Sequence, residues 1–123
     1  MKMKEKIILI DDDPIINFVH SRIIQHKFPE SQILIFNNGS SALEFIQKSL
    51  TVSYLIFLDL NMPVMNGWEF LEAVAKEESS NNLQIHILTS SIDPQDFKKA
   101  KKNRHVRSYF TKPLKVEDIE NLS

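Results

Sequence analysis

Five short apolar runs punctuate the chain: Lys6–Ile10, Gln32–Phe36, Tyr54–Leu58, Gln84–Leu88 and Val106–Phe110. They are near-continuous rather than alternating, the pattern of strands covered on both faces. Between them apolar residues recur at steps of three and four: Ile16, Val19, Ile23 and Ile24; Ala42, Ile46 and Leu50; Leu71, Val74 and Ala75. Such spacing predicts amphipathic helices. A fourth helical segment is thinner, with Phe97 and Ala100 only, and the last, Lys115–Leu122, offers Val116, Ile119 and Leu122. Asp13-Pro14 and Asp93-Pro94 each set a capping aspartate before a proline at the first helical position. Strands alternating with helices predict an α/β fold, a parallel sheet with helices on both faces. Ligands of such sheets bind at the carboxyl ends of the strands, where strand order reverses.

The polar residues collect at those ends. The first run ends in Asp11-Asp12-Asp13, the third in Asp59, the fourth in Thr89-Ser90 and the fifth in Thr111-Lys112-Pro113. Asp11, Asp12 and Asp59 converge if the first and third strands are neighbours. Carboxylates that close repel, so some must protonate or a cation must bind. The cation wants hard oxygen ligands; Mg²⁺ fits, Mn²⁺ can substitute, and Ca²⁺ asks for more protein oxygens. Each acid alone reads equally well as an ordinary strand-end residue, and Asp13 reads better as a helix cap. Lys112 alone reads as a solvated turn residue. Together with Thr89, however, the set suits phosphoryl transfer, in which the protein positions groups and neutralises charge. Asp59 is the expected nucleophile, giving an acyl phosphate.

Composition narrows the classes. The 123 residues are expected to form one domain, with 42% hydrophobic and 25% charged residues and a net charge of −1. No global charge favours nucleic acid or an anionic membrane. The absence of cysteine excludes disulfides, thiolate metal sites and a cysteine nucleophile. Two glycines cannot build a glycine-rich phosphate loop. No apolar stretch is long enough to span a bilayer, and Met1-Lys2-Met3-Lys4 precedes too short a run for a signal peptide. The expected location is the cytoplasm.

Four segments in order resemble the receiver domains of two-component response regulators: Ile8-Leu9-Ile10-Asp11-Asp12-Asp13, Leu58-Asp59-Leu60-Asn61-Met62-Pro63 through Gly67, Leu88-Thr89-Ser90, and Tyr109-Phe110-Thr111-Lys112-Pro113. The resemblance covers essentially the whole chain and implies a flavodoxin-like (CheY-like) fold with strand order 2-1-3-4-5. It implies that Asp59 takes phosphate from a histidine kinase or phosphotransfer protein. Asp12 then ligates Mg²⁺ directly and Asp11 through water, with the backbone carbonyl of Asn61 as a further ligand. Lys112 binds a phosphoryl oxygen, its bond to Pro113 is cis, and Thr89 and Tyr109 form the switch. Asn61 and Ser91 flank the route of an attacking water and tune the lifetime of the phosphoryl group.

Some positions depart from the family pattern. Asn66 stands where an acid often precedes the glycine, with little effect expected on chemistry. Asn103-Arg104-His105-Val106 lacks the usual glycine-containing turn, and Asn103 is expected to supply a left-handed residue. The final helix, about two turns, is short for the family. Lys98, Lys99, Lys101, Lys102, Arg104, His105 and Arg107 form a basic stretch. It reads first as a solvated face and second as a docking surface, on the face of the fourth helix, fifth strand and fifth helix where the resemblance places a downstream protein. His86 reads as a packed histidine, His20 and His26 as helix residues away from the acids, and Trp68 and Phe70 as packing residues.

The leading expectation is therefore a phosphoacceptor that switches a partner-binding surface, binding neither nucleic acid nor membrane directly. It is expected not to turn over an external substrate, although it dephosphorylates itself. A Mg²⁺-dependent phosphatase of the haloacid dehalogenase kind is disfavoured, because that chemistry wants an acid two residues after the nucleophile and Asn61 is there. A receiver fragment of a longer DNA-binding response regulator is the alternative, and a degenerate receiver that works without phosphorylation ranks last.

Overall fold

A computed structural model describes residues 6–48, 52–62, 64–76 and 83–122. Leu50, Pro63 and the basic start Met1–Lys4 lie outside the described residues. The elements alternate in the order β1 (Lys6–Ile10), α1 (Pro14–Lys27), β2 (Ile33–Phe36), α2 (Gly39–Gln47), β3 (Tyr54–Asp59), α3 (Gly67–Ala75), β4 (Leu83–Thr89), α4 (Pro94–Lys101), β5 (Val106–Thr111) and α5 (Val116–Glu120). All four strand pairings are parallel and the sheet order is β2-β1-β3-β4-β5, as the resemblance implied. Order reverses between β1 and β3, so the rim above these two neighbours is the binding crevice of the fold.

Alternate strand residues serve two cores. Ile8, Ile10, Ile56, Leu58, Ile85 and Ile87 pack against Ala42 and Ile46 of α2 and Phe70, Leu71 and Val74 of α3. Ile7, Leu9, Leu55, Phe57 and Leu88 pack on the other side against Ile24 of α1, Leu114, and Ile119 of α5. Central β3 is buried along its whole length, which explains why its apolar run shows no alternation.

Three local expectations need correction. In α1 the buried residues are Asn17, His20 and Ile24, whereas Val19 is exposed and Ile16 only half-buried. The apolar spacing therefore marked a face rotated away from the inner one. Asn103 is not left-handed; among the described residues Met65 alone, with φ of 50°, has a positive φ outside glycine. Asn103 instead accepts the His105 N–H on Oδ1 at 2.9 Å, making the turn with its side chain. The final helix has 5 residues, less than the two turns expected.

The caps follow the sequence. Asp13 Oδ1 accepts from the N–H groups of Ile15 and Ile16, and Asp93 Oδ1 from that of Gln95. Asn66 caps α3 reciprocally with Glu69, each side chain accepting the other's backbone N–H. This explains the amide at position 66 without invoking chemistry. Gly67 next to it is required by space: a Cβ there would stand 2.6 Å from the carbonyl oxygen of Asp59. The start of α3 thus presses directly on the end of β3.

Candidate functional site

Parallel register carries Asp59 to the end of β3, beside β1 on one side and Leu88 of β4 on the other. Asp11 follows β1 directly, and its N–H donates to the carbonyl of Phe36 at 3.1 Å. One oxygen from each of Asp11, Asp12 and Asp59 lies within 4.8 Å of the others. Asp11 and Asp59 are buried and Asp12 is exposed, so the cluster opens to solvent on the Asp12 side. Asp13 points elsewhere, into its cap.

Lys112 closes the site from β5. Its Nζ donates to Asp11 Oδ2 at 2.6 Å and stands 3.3 Å from Asp59 Oδ1. Its backbone N–H donates to the Thr89 carbonyl at 2.8 Å, joining the ends of β4 and β5. The Lys112–Pro113 bond is cis, as expected.

Two acids share one lysine, and the titration shifts follow. Burial first and the charge of Asp11 second push the Asp59 carboxyl above its usual range, and Lys112 pulls it back only in part. Burial opposes the charge on Lys112, but its hydrogen bond to Asp11 and the charges of Asp59 and Asp11 outweigh burial and raise its pKa. A site that leaves a buried carboxylate under-neutralised favours a further cation. Its oxygen-only donor set, opening to water through Asp12, fits Mg²⁺ or Mn²⁺, which keep part of their hydration.

Thr89 is buried at the end of β4, and its hydroxyl oxygen accepts the Ser91 N–H at 3.0 Å. Ser91 Oγ in turn donates to Asp96 Oδ2 of α4 at 2.6 Å. Asn61 is exposed, and its N–H donates to Asp59 Oδ1 at 3.3 Å. Tyr109 stands apart from the acids: its ring meets Phe97 of α4 edge-on at 5.3 Å, and its hydroxyl is enclosed near Ser91 without hydrogen-bond geometry. Burial, and then the charge of Asp96, raise its pKa.

The structure adds two residues that the sequence reading did not connect with the acids. Asn17 Nδ2 donates to the Asp11 carbonyl at 2.7 Å, and His20 Nε2 accepts the Leu114 N–H at 3.1 Å. The expectation that His20 lies away from the acids is thus corrected: the charges of Lys112 and Asp11 both act on it. Their spacing of three on a helix capped at Asp13 was the available signal. His86 is packed, as expected, stacked on Phe57 at 5.3 Å. In the basic stretch, Lys99 lies 4.3 Å above the Trp68 ring and Lys101 5.6 Å from that of Phe97. At least these two lysines cover aromatic faces rather than standing free in solvent.

Comparison with known proteins agrees with this arrangement. The probable methanogenesis regulatory protein FilR2 of Methanothrix harundinacea is 28% identical over 93% of this chain and 76% of its own length. The chain spans only 20% of the longer two-component response regulator ARR10 of Arabidopsis thaliana, at 27% identity. The crystal structure of a two-component response regulator from Cytophaga hutchinsonii superposes with a TM-score of 0.85, at 30% identity, covering 98% of this chain and 94% of that one. The Mn²⁺-bound form of response regulator Rcp1 superposes with a TM-score of 0.70, at 26% identity, covering 94% and 86%. Residues 7–122 match the response regulator receiver domain, and the chain belongs to that family.

Proposed function

We propose that the chain is a phosphoacceptor of a two-component phosphorelay, with Asp59 as the acceptor. The observation that carries this reading is the ammonium of Lys112 set between Asp11 and Asp59, with Asp12 in reach at the solvent edge. The donor is the phosphohistidine of a kinase or phosphotransfer protein. An Asp59 oxygen forms a bond to phosphorus as the donor's P–N bond breaks, and the departing imidazole takes up a proton. Lys112 meets one phosphoryl oxygen and the Thr89 hydroxyl another, each offsetting charge that was on the donor.

Mg²⁺, or Mn²⁺ as in the Rcp1 structure, would supply positive charge that offsets the acids and the transferred oxygens. Asp12 and Asp59 would hold it with their carboxylates, Asp11 through water and Asn61 through its backbone carbonyl. Thr89 moving toward the phosphoryl group releases the Ser91 N–H, and Ser91 is tied to α4 through Asp96. That chain, with Tyr109 beside Ser91, carries the change to the α4–β5–α5 face, where a downstream protein docks. Donor proteins approach over the start of α1, where Ile15 and Phe18 are 74% and 62% exposed near Asp12. Exposed Asn61 and half-buried Ser91 flank the path of the water that later hydrolyses the acyl phosphate.

Incubation with Mg²⁺ and acetyl phosphate, read by intact mass, tests the assignment. One phosphate adduct is expected on the wild-type chain and none on Asp59→Asn or without divalent metal. Equal labelling of the mutant removes Asp59 from the role.

A further inference from the structure

His20 is fully buried on α1, yet it is polar and incompletely bonded. Nε2 accepts the Leu114 N–H at 3.1 Å, so this nitrogen carries no proton and the ring proton is on Nδ1, which is enclosed without a partner. Burial, and then the nearby charge of Lys112, lower its pKa and keep the ring neutral, the form that accepts. An aliphatic side chain would fill the same place without burying the unpaired ring N–H, but it would leave the buried Leu114 N–H without an acceptor. The histidine is therefore a poor choice for packing alone.

Its one bond falls at an informative place. The turn from Lys112 to Leu114 is tied at both ends, by the Lys112 N–H to the Thr89 carbonyl and by the Leu114 N–H to His20. One helical turn earlier, Asn17 holds the carbonyl of Asp11 at 2.7 Å. The inner face of α1 thus grips the backbone near both partners of the Asp11–Lys112 ion pair, whose own contact is 2.6 Å. Lysine is a flexible side chain, and where its ammonium arrives depends on where its backbone is held.

We propose that His20 is a positioning residue for phosphoryl transfer: by accepting the Leu114 N–H it holds the Lys112–Leu114 turn where the Lys112 ammonium reaches both Asp11 and Asp59. This rests on the reading of Asp59 as acceptor. Asn17 performs the matching task for Asp11.

The test compares His20→Leu, which removes the acceptor, with His20→Gln, whose Oε1 can replace Nε2. Asp59 labelling by acetyl phosphate and Mg²⁺ is followed by mass, and stability by urea unfolding. Labelling by the leucine variant is expected to slow roughly ten- to hundredfold, the scale of a misplaced catalytic group. The glutamine variant should recover most of the rate, while the leucine variant, which leaves the buried Leu114 N–H without an acceptor, unfolds at a lower urea concentration than wild type yet stays folded without denaturant, where the labelling is read. Wild-type labelling by the leucine variant overturns the proposal, and so does equal slowing of both variants. Failure of both to fold also overturns it, since His20 would then hold the fold rather than the turn. An independent reading comes from ¹⁵N NMR of the wild-type protein, where His20 Nε2 should show the shift of an unprotonated ring nitrogen and scalar coupling to the Leu114 amide. A proton on Nε2 contradicts the proposal. If the wild-type chain itself is not labelled at Asp59, the reading of the acceptor fails instead.

Discussion

The two faces of the sheet are built from different chemistry. On the α2–α3 side the buried helix side chains are apolar: Ala42 and Ile46, then Phe70, Leu71 and Val74. On the α1–α5 side Ile24, Phe57, Leu114 and Ile119 share the interior with Asn17, His20 and His86. Polar groups enclosed in that second layer cost stability unless they are bonded, and each of the three has a buried polar atom without a partner. The first face makes the fold; the second gives up part of its packing to hold the strand ends where Asp11 and Lys112 meet.

If that division is right, substitution on the first face should act on stability. Phe70 is fully buried between α3 and the strands. Phe70→Ala should cost about 3–5 kcal/mol, a large part of what a small domain has in total. Urea unfolding without divalent metal measures it. A loss no greater than that of His20→Leu would erase the distinction between the faces.

His86 gives the second face its own stability test. Burial, with a smaller effect of Arg107, lowers its pKa from 6.5 to about 4, so the folded protein keeps it neutral where the unfolded chain charges it. The unfolded state then binds the extra proton, and stability falls as pH drops from 6.5 toward 4. The full loss, on the order of 3 kcal/mol, follows from the size of that shift. His86→Phe, which keeps a ring against Phe57 and Phe110, should remove most of this slope. Midpoints measured by chemical unfolding at several pH values decide it; unchanged slopes would place the acid sensitivity elsewhere.

This contrast also explains what could be read in the sequence. The apolar runs located all five strands to within a residue at either end, because strands covered on both faces leave no alternation to misread. Asp11, Asp59 and Lys112 were legible because chemistry at strand ends stands out against apolar neighbours. The inner face of α1 was not legible. Its periodic apolar residues include exposed Val19, while Asn17 and His20 occupy the interior for the sake of two backbone bonds. Hydrophobic spacing carries no record of a hydrogen bond to Leu114, a residue 94 positions away.

The outer face of α1 offers the smallest stability effect and the sharpest separation. Ile15, Phe18 and Val19 are exposed there, with Ile35 of β2 also exposed and sharing a groove with Phe18 and Asp12. Such residues add little to folding, so Ile15→Ser with Phe18→Ser should change stability by no more than about 0.5 kcal/mol. Acetyl phosphate needs no docking surface and should label the double variant at the wild-type rate. Under the proposed function a phosphohistidine protein docks over α1 beside Asp12 to bring its phosphorus to Asp59, and its transfer to the double variant should slow. The comparison is made by running both donors on both proteins. Equal slowing with the two donors would mean that α1 had been disturbed as a whole, inner face included. Unchanged transfer from the protein donor would mean that the exposed apolar residues serve some other contact. Slowing confined to the protein donor would give the two sides of one helix separate tasks, Asn17 and His20 setting the site and Ile15 and Phe18 admitting the partner that loads it.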